Sequence, residues 1–308
     1  MSHDTNRSVA SLRRQKVGCR YERNKGVTLK LIVATVQLSS GADAARNVDE
    51  AERLVNVAAD QGARYVQLPE YFNYLGPFAG FQGAAESVPG PTTSRMAELA
   101  RSRNVTLHLG SLLERSPEKG KFYNTSVVLG PNGNIVATYR KIHLFDVNVP
   151  GAIVHRESDI IAPGDELVIA RFAEFALGLS ICFDVRFPEL YRKLALAGAE
   201  VIAIPAAFNA VTGRAHWNQL VRTRAIENHV FVVAAAQAGA TAEGIATYGH
   251  SLIVDPWGEV LAESLNDTPD VVLATLDLSD VARRRAQIAV MEFRRPDVYD
   301  REVRVIDE

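Results

Sequence analysis

Short apolar runs recur along the chain, with turn residues between them. They fall at Leu31–Gln37, Tyr65–Pro69, Val105–Leu112, Asn124–Leu129, Ile135–Arg140, Ala176–Ile181, Val201–Pro205, Val230–Ala236, Ser251–Val254 and Val271–Asp277. Most are nearly continuous rather than alternating, which suits strands covered on both faces. Helical patterns lie between several of them. Ala44–Asp60 places Ala44, Val48, Ala51, Val55 and Ala58 three or four apart, on one face of a helix. Thr92–Arg103 follows Pro91, and Pro188–Ala197 begins with a proline suited to a first turn. His216–Asn228 is the fourth helical pattern. Two hairpins are written in turn residues. Gly130-Pro-Asn-Gly133 joins Val127–Leu129 to Ile135–Tyr139, and Asp255-Pro-Trp-Gly258 joins Leu252–Val254 to Val260–Ala262. The sum is a layered α/β protein with mixed sheets and helices outside. No repeat and no low-complexity linker interrupts it, so one domain over residues 29–308 is expected.

Composition narrows the class. The chain has 308 residues, 47% of them apolar and 23% charged, which excludes a disordered or collagen-like chain. No apolar run reaches the length of a membrane span. A net charge of −2 argues against a dedicated nucleic-acid binder. That average hides an asymmetry. Residues 1–30 hold eight Lys/Arg against two Asp/Glu, while residues 31–308 hold 26 against 34. The first segment lacks the apolar stretch of a secretory signal. It is expected to be a flexible basic extension over residues 1–28, loosely like an organellar presequence. Two cysteines, Cys19 and Cys182, cannot make a disulfide framework, and no Cys or His pair has zinc spacing. A reducing, cytoplasmic setting is expected.

Absent motifs prune the chemistry further. There is no dinucleotide or phosphate glycine loop, no H-E-x-x-H and no G-x-S-x-G. One body cysteine remains. Cys182 ends the run Ala176–Ile181, just before the helix at Pro188, where open α/β sheets gather ligands. A lone Cys at a strand end is by default an inert, buried thiol. With an ordinary pKa near 8.5 a thiol needs a base and a cation to act as a nucleophile. Glu70 closes the run that begins at Tyr65, and Lys141 closes the run that begins at Ile135. The carboxylate, ammonium and thiol therefore share one topological place. Glu70 suits proton transfer, Lys141 suits oxyanion stabilisation with the backbone N–H of Phe183, and Cys182 suits thioester formation.

At these residues the sequence resembles the nitrilase superfamily of carbon–nitrogen hydrolases. The resemblance spans about residues 29–300. It rests on LPE ending at Glu70, YRKIHLFDVNVPG around Lys141 and CFDVRFPEL starting at Cys182, with 41 residues from lysine to cysteine. It implies a four-layer αββα sandwich, a Glu-Lys-Cys trio in the roles just given, and Glu157 as an assisting carboxylate. It implies neither cofactor nor metal, a small-molecule amide substrate, and dimers formed through a helical layer and the C-terminal segment. The stretches Leu278–Ile288 and Val290–Arg304 are candidates for that arm.

Further words are similar to the Nit amidase branch: the run from Lys141 to Gly151, Thr212-Gly-Arg-Ala-His216-Trp217 and Tyr248-Gly-His250-Ser251. That branch contains ω-amidases for α-keto acid amides and amidases for deaminated glutathione. Ala199-Glu200, Val232–Gln237, Asp255–Gly258 and Arg294–Tyr299 lean toward the second. N-carbamoyl-amino-acid hydrolysis and nitrile hydrolysis are the alternatives. Both amide substrates carry a carboxylate, so Arg186 or Arg214 is expected to bind it. Tyr71, Phe72, Phe145, Phe183 and Phe208 are the candidate pocket aromatics.

Overall fold

The computed structural model describes residues 30–151, 153–240, 244 and 246–307. The basic extension at 1–28, with Cys19, lies outside the described residues. The first half runs β1 (Lys30–Gln37), α1 (Ala44–Asp60), β2 (Tyr65–Gln67), α2 (Phe81–Ala84), α3 (Pro91–Arg103), β3 (Thr106–His108), β4 (Leu112–Arg115), β5 (Phe122–Leu129) and β6 (Ile135–Arg140). A two-stranded ribbon follows, β7 (Asp146–Val149) and β8 (Ile153–Arg156). The second half runs β9 (Ile169–Arg171), β10 (Ala176–Leu179), α4 (Pro188–Leu196), β11 (Val201–Ala203), α5 (Ala210–Asn228) and β12 (Phe231–Ala234). It ends with β13 (Ala238–Ala240), β14 (Ala246–Tyr248), β15 (Leu252–Val254), β16 (Val260–Glu263), β17 (Asp270–Asp277), α6 (Ser279–Gln287) and α7 (Pro296–Tyr299).

Two mixed sheets form. One has the order β17-β1-β2-β3-β5-β4, with β6 also paired to β5; the other has the order β16-β15-β12-β11-β10-β9. The βα units give parallel pairs at β1–β2, β2–β3, β10–β11 and β11–β12, and the two expected hairpins pair β5–β6 and β15–β16. The C-terminal strand β17 returns to pair antiparallel with β1 along its whole length. α1 and α3 cover one face of the first sheet through Val48, Leu54, Val55, Met96 and Leu99. α4 and α5 cover the second sheet through Leu190, Tyr191, Leu194, Trp217 and Val221. Tyr65, Val128 and Tyr139 of the first sheet meet Phe175, Leu177 and Leu179 of the second within one core. The result is the expected four-layer αββα sandwich.

Two elements differ from the sequence reading, each at a glycine. The run Val105–Leu112 is not one strand. Gly110 takes a φ of +58°, and a Cβ there would lie 2.0 Å from the Pro69 carbonyl oxygen. The chain therefore breaks between β3 and β4, and the break lies against the turn that carries Glu70. α5 begins at Ala210, six residues before His216, because Asn209 caps it by accepting from the Val211 N–H at 2.9 Å. Gly213 within it is no breaker: a Cβ at that position would meet Tyr248 at 2.5 Å.

Candidate active site

Three strand ends converge. β2 delivers Glu70, β6 delivers Lys141 and β10 delivers Cys182. The ribbon β7–β8 brings a fourth group, Glu157, on the short 3₁₀ turn that follows it. All four side chains are buried yet line one cavity of about 300 Å³.

Each is held by its local backbone. Cys182 opens a 3₁₀ turn (Cys182–Arg186) with φ +46°, a left-handed conformation that a non-glycine residue adopts only under external restraint. Part of that restraint is its N–H, which donates to the Pro205 carbonyl at 2.8 Å. Tyr71, directly after Glu70, has φ +55° and donates its N–H to Ser111 Oγ at 3.0 Å. The Glu70 carbonyl accepts from Gln237 Nε2 at 3.0 Å, across from the second sheet. Lys141 donates its N–H to the Asn124 carbonyl at 2.9 Å.

The charges are interlocked. Lys141 Nζ donates to Glu70 Oε1 at 2.9 Å and to Glu157 Oε2 at 2.8 Å. Glu70 Oε2 accepts from the Ala207 N–H at 2.8 Å. Glu157 also accepts from the Phe145 N–H at 2.6 Å and the Tyr71 hydroxyl at 3.0 Å. Burial alone would depress the Lys141 ammonium, but the charges of Glu157 and Glu70 outweigh it and hold it well above its ordinary range. Burial raises Glu157, and Lys141 more than reverses this, leaving that carboxyl below its ordinary value. Cys182 is pushed well up, first by burial and then by the charge of Glu70, with Lys141 opposing. At neutral pH the resting group is a thiol, so it needs a base in place. Lys141 Nζ also meets Glu157 Oε1 at 3.1 Å, so the three donors of the resting ammonium are shared between the two carboxylates.

The cavity wall is largely apolar, with Tyr71, Phe145, Phe183 and Phe208 among its residues. Phe72 does not line it. Its ring is fully buried in the core under α1 and α3, because the left-handed Tyr71 turns the chain and sends the two side chains apart. Arg186 stands behind two of these walls, close enough to Cys182 to interact with its charge. Its guanidinium lies 5.7 Å from the Phe183 ring and 5.2 Å from the Phe208 ring, with no carboxylate paired to it among the described residues. Arg214 is exposed on α5, outside the cavity. The Phe183 N–H precedes the first bond of the 3₁₀ turn and so has no acceptor within it.

Sequence reasoning missed two groups here. Asn124 on β5 donates to both Glu70 Oε1, at 2.8 Å, and Glu157 Oε1, at 3.3 Å. Its signal was an amide side chain opening the run Asn124–Leu129, which becomes apolar only from Val127 onward. Asp184 is fully buried and accepts from His143 N at 3.1 Å, His143 Nδ1 at 2.7 Å, Tyr139 Oη at 2.7 Å and Ile181 N at 2.8 Å. It ties the loop after Lys141 to the turn of Cys182. Its signal was a carboxylate two residues past the cysteine, in a segment with no solvated face.

A cysteine, two carboxylates and an ammonium at the open ends of two face-to-face sheets are groups suited to hydrolysing carbon–nitrogen bonds. Residues 32–286 match the family model described as carbon-nitrogen hydrolase, and the chain belongs to that family, within the nitrilase superfamily. It is 40% identical over 267 residues to the human omega-amidase NIT2 (Homo sapiens), covering 87% of this chain and 96% of that one. It is 41% identical over 273 residues to the mouse (Mus musculus) deaminated glutathione amidase, covering 87% and 84%. The solved structure of the C. elegans NitFhit protein superposes with a TM-score of 0.82 at 36% identity, over 89% of this chain and 67% of that one.

Proposed function

We propose that this carbon–nitrogen hydrolase is an amidase working through a thioester. Glu70 takes the Cys182 proton as Sγ attacks the amide carbon. Lys141 Nζ and the Phe183 N–H hold the oxyanion that forms. Glu70 then protonates the leaving nitrogen, the C–N bond breaks, and ammonia or an amine departs. Water gives a proton to Glu70 and attacks the thioester, the C–S bond breaks, and the acid leaves with the thiol restored. Glu157 keeps Lys141 charged and aimed. The observation that carries the reading is the Lys141 ammonium braced between Glu70 and Glu157 on the wall of the cavity that Cys182 also lines.

The substrate we propose is a linear amide bearing a carboxylate, deaminated glutathione first. The similarity to the human omega-amidase supports a second reading, the ω-amide of an α-keto acid. N-carbamoyl amino acids and nitriles stand behind both. We further propose one catalytic domain over 29–308 and a homodimer. The family match over 32–286 and the pairing of β1 with β17 support the domain. The exposed apolar side chains Phe293, Val303, Val305 and Ile306 support a C-terminal contact arm. A reducing cytoplasm suits the free, buried Cys182. The test is a panel of deaminated glutathione, α-ketoglutaramate, a carbamoyl amino acid and a simple nitrile, with ammonia and peptide release followed separately. Cys182→Ala is expected to abolish turnover while circular dichroism is unchanged. Undiminished turnover in that variant would remove the cysteine mechanism.

A further inference from the structure

The nucleophile and the ammonium stand on opposite halves of the sandwich. Cys182 follows β10 of the second sheet, and Lys141 follows β6 of the first. The reaction needs them at a fixed separation, so a contact at this end has to register one half against the other. The turn Cys182–Arg186 is anchored twice within its own half. The Cys182 N–H donates to the Pro205 carbonyl at 2.8 Å, and Arg224 Nε on α5 donates to the Val185 carbonyl at 2.8 Å. Neither bond reaches the Lys141 side.

Asp184 makes the crossing. It is fully buried, and among the described residues it pairs with no lysine or arginine, so its oxygens depend on hydrogen-bond donors. Oδ2 accepts from the Ile181 N–H, directly ahead of Cys182, at 2.8 Å, and from the Tyr139 hydroxyl on β6 at 2.7 Å. Oδ1 accepts from the His143 N–H at 3.1 Å and from His143 Nδ1 at 2.7 Å. His143 lies two residues past Lys141, and Asp184 two past Cys182, so their bond bridges the two reacting residues. A carboxylate only accepts, which puts the imidazole hydrogen on Nδ1. Phe187 holds the ring in that orientation, with centroids 3.6 Å apart and planes within 6°. Phe187 in turn donates its N–H to the Asp184 carbonyl at 3.0 Å. His143 does not line the cavity, so it acts without touching substrate.

We infer that His143 is a positioning residue of the amidase reaction: its Nδ1–H, through Asp184, holds the Cys182 turn at its working distance from Lys141. This deepens the thioester mechanism proposed above and rests on it. The donor carries the effect and the ring does not, and the two can be separated. His143→Phe keeps a ring against Phe187 and loses the N–H. His143→Asn loses the ring and keeps an N–H donor near the place of Nδ1.

The experiment measures turnover of deaminated glutathione and α-ketoglutaramate by full-length wild type, His143→Phe and His143→Asn, with circular dichroism and unfolding midpoints to follow folding. In His143→Phe kcat is expected to fall about ten- to a hundredfold, with KM within about twofold of wild type. In His143→Asn kcat is expected to recover to within about fivefold of wild type. An unchanged kcat in His143→Phe, an equal loss in both variants, or a loss carried by KM overturns the inference. If His143→Phe does not fold, His143→Leu takes its place and is read the same way. A second arm works without turnover. Iodoacetamide labelling of Cys182 is followed by peptide mass spectrometry, with Cys19 of the same chain as internal control. Labelling of Cys182 is expected to slow by about the factor lost in kcat, and an unchanged or faster rate overturns the inference. If wild type hydrolyses no amide, the amidase reading falls, and the labelling arm still decides whether His143 sets Cys182.

Discussion

Strand β2 feeds two buried polar clusters that behave in opposite ways. Its body contributes Tyr65 and Gln67 to a network between the sheets. Tyr65 Oη lies 3.1 Å from His108 Nδ1 and 3.1 Å from Gln67 Oε1, and His108 Nε2 meets Ser126 Oγ. Three residues past the end of the strand, Glu70 enters the cluster with Lys141 and Glu157. The first cluster is fully enclosed and electrically silent: burial lowers the His108 pKa to about 3, so the imidazole is neutral. The second keeps its charges, because each carboxylate has an ammonium or backbone donor facing it, and it opens on a cavity. Both are deeply buried. What separates a structural network from a candidate reaction centre is retained charge with an open side.

Removing the cation should break that contrast most severely. Lys141→Met leaves Glu70 and Glu157 buried with no ammonium between them. Loss of one partner of a buried ion pair costs about 3–5 kcal/mol, and loss of an oxyanion donor costs about 10²–10³ in kcat. The pH dependence should also change. In the wild type Glu157 is lowered below its ordinary 4.5, so its stabilisation is present above that value and lost as pH falls through the folded-state value. Without Lys141, burial and mutual repulsion raise the carboxyls, so the variant's deficit against the wild type is smallest in acid and grows as pH rises. Urea unfolding of both proteins from pH 4 to 8 checks this. A deficit that stays constant across that range would show that the lysine does not govern the cluster.

The silent cluster makes the complementary prediction. Below pH 6.5 the unfolded chain protonates His108, while the folded chain resists until about pH 3. Stability therefore falls with pH across that window, by at most about 1.4 kcal/mol per unit from this residue. His108→Gln should remove that share of the slope, about 2 kcal/mol between pH 6.5 and 5, and leave kcat near wild type. Unfolding midpoints at four pH values measure it. An unchanged slope would mean that His108 is not held neutral, and a lost kcat would mean that the two clusters are coupled.

Much of this was legible from patterning. Ala44–Asp60 reads as a helix and is one, because its apolar face packs on a single sheet. Glu70, Lys141 and Cys182 stand at strand ends, where a parallel-rich sheet opens. The remainder depended on packing between distant segments. The ribbon β7–β8 carries Asp146, Asn148 and Arg156 on its open side, so it shows no apolar run that would announce a strand. Gly213 lies ahead of the helical pattern read from His216, and its place inside α5 shows only once Tyr248 is seen against it. Phe72 and Tyr71 are adjacent aromatics, and only a left-handed turn decides which one reaches the cavity. Asn124 and Asp184 gain their meaning from residues more than thirty positions away.

The smallest effect should come from the rim of the charged cluster, at Tyr71. Its hydroxyl donates to Glu157 Oε1 at 3.0 Å, and that carboxylate keeps Lys141, Asn124 and the Phe145 N–H when the hydroxyl is gone. Tyr71→Phe should therefore lower kcat by no more than about tenfold, with a stability loss of about 1–2 kcal/mol. The ring still fills the wall, so KM should hold. If the hydroxyl acts only by aiming Glu157, its loss should matter little once Glu157→Gln has removed the charge it holds. The double-mutant cycle should then show a coupling of about 1 kcal/mol in kcat. Additive losses would mean that Tyr71 acts on the substrate directly, and the charged cluster would extend one residue further into the cavity than the carboxylates and the lysine.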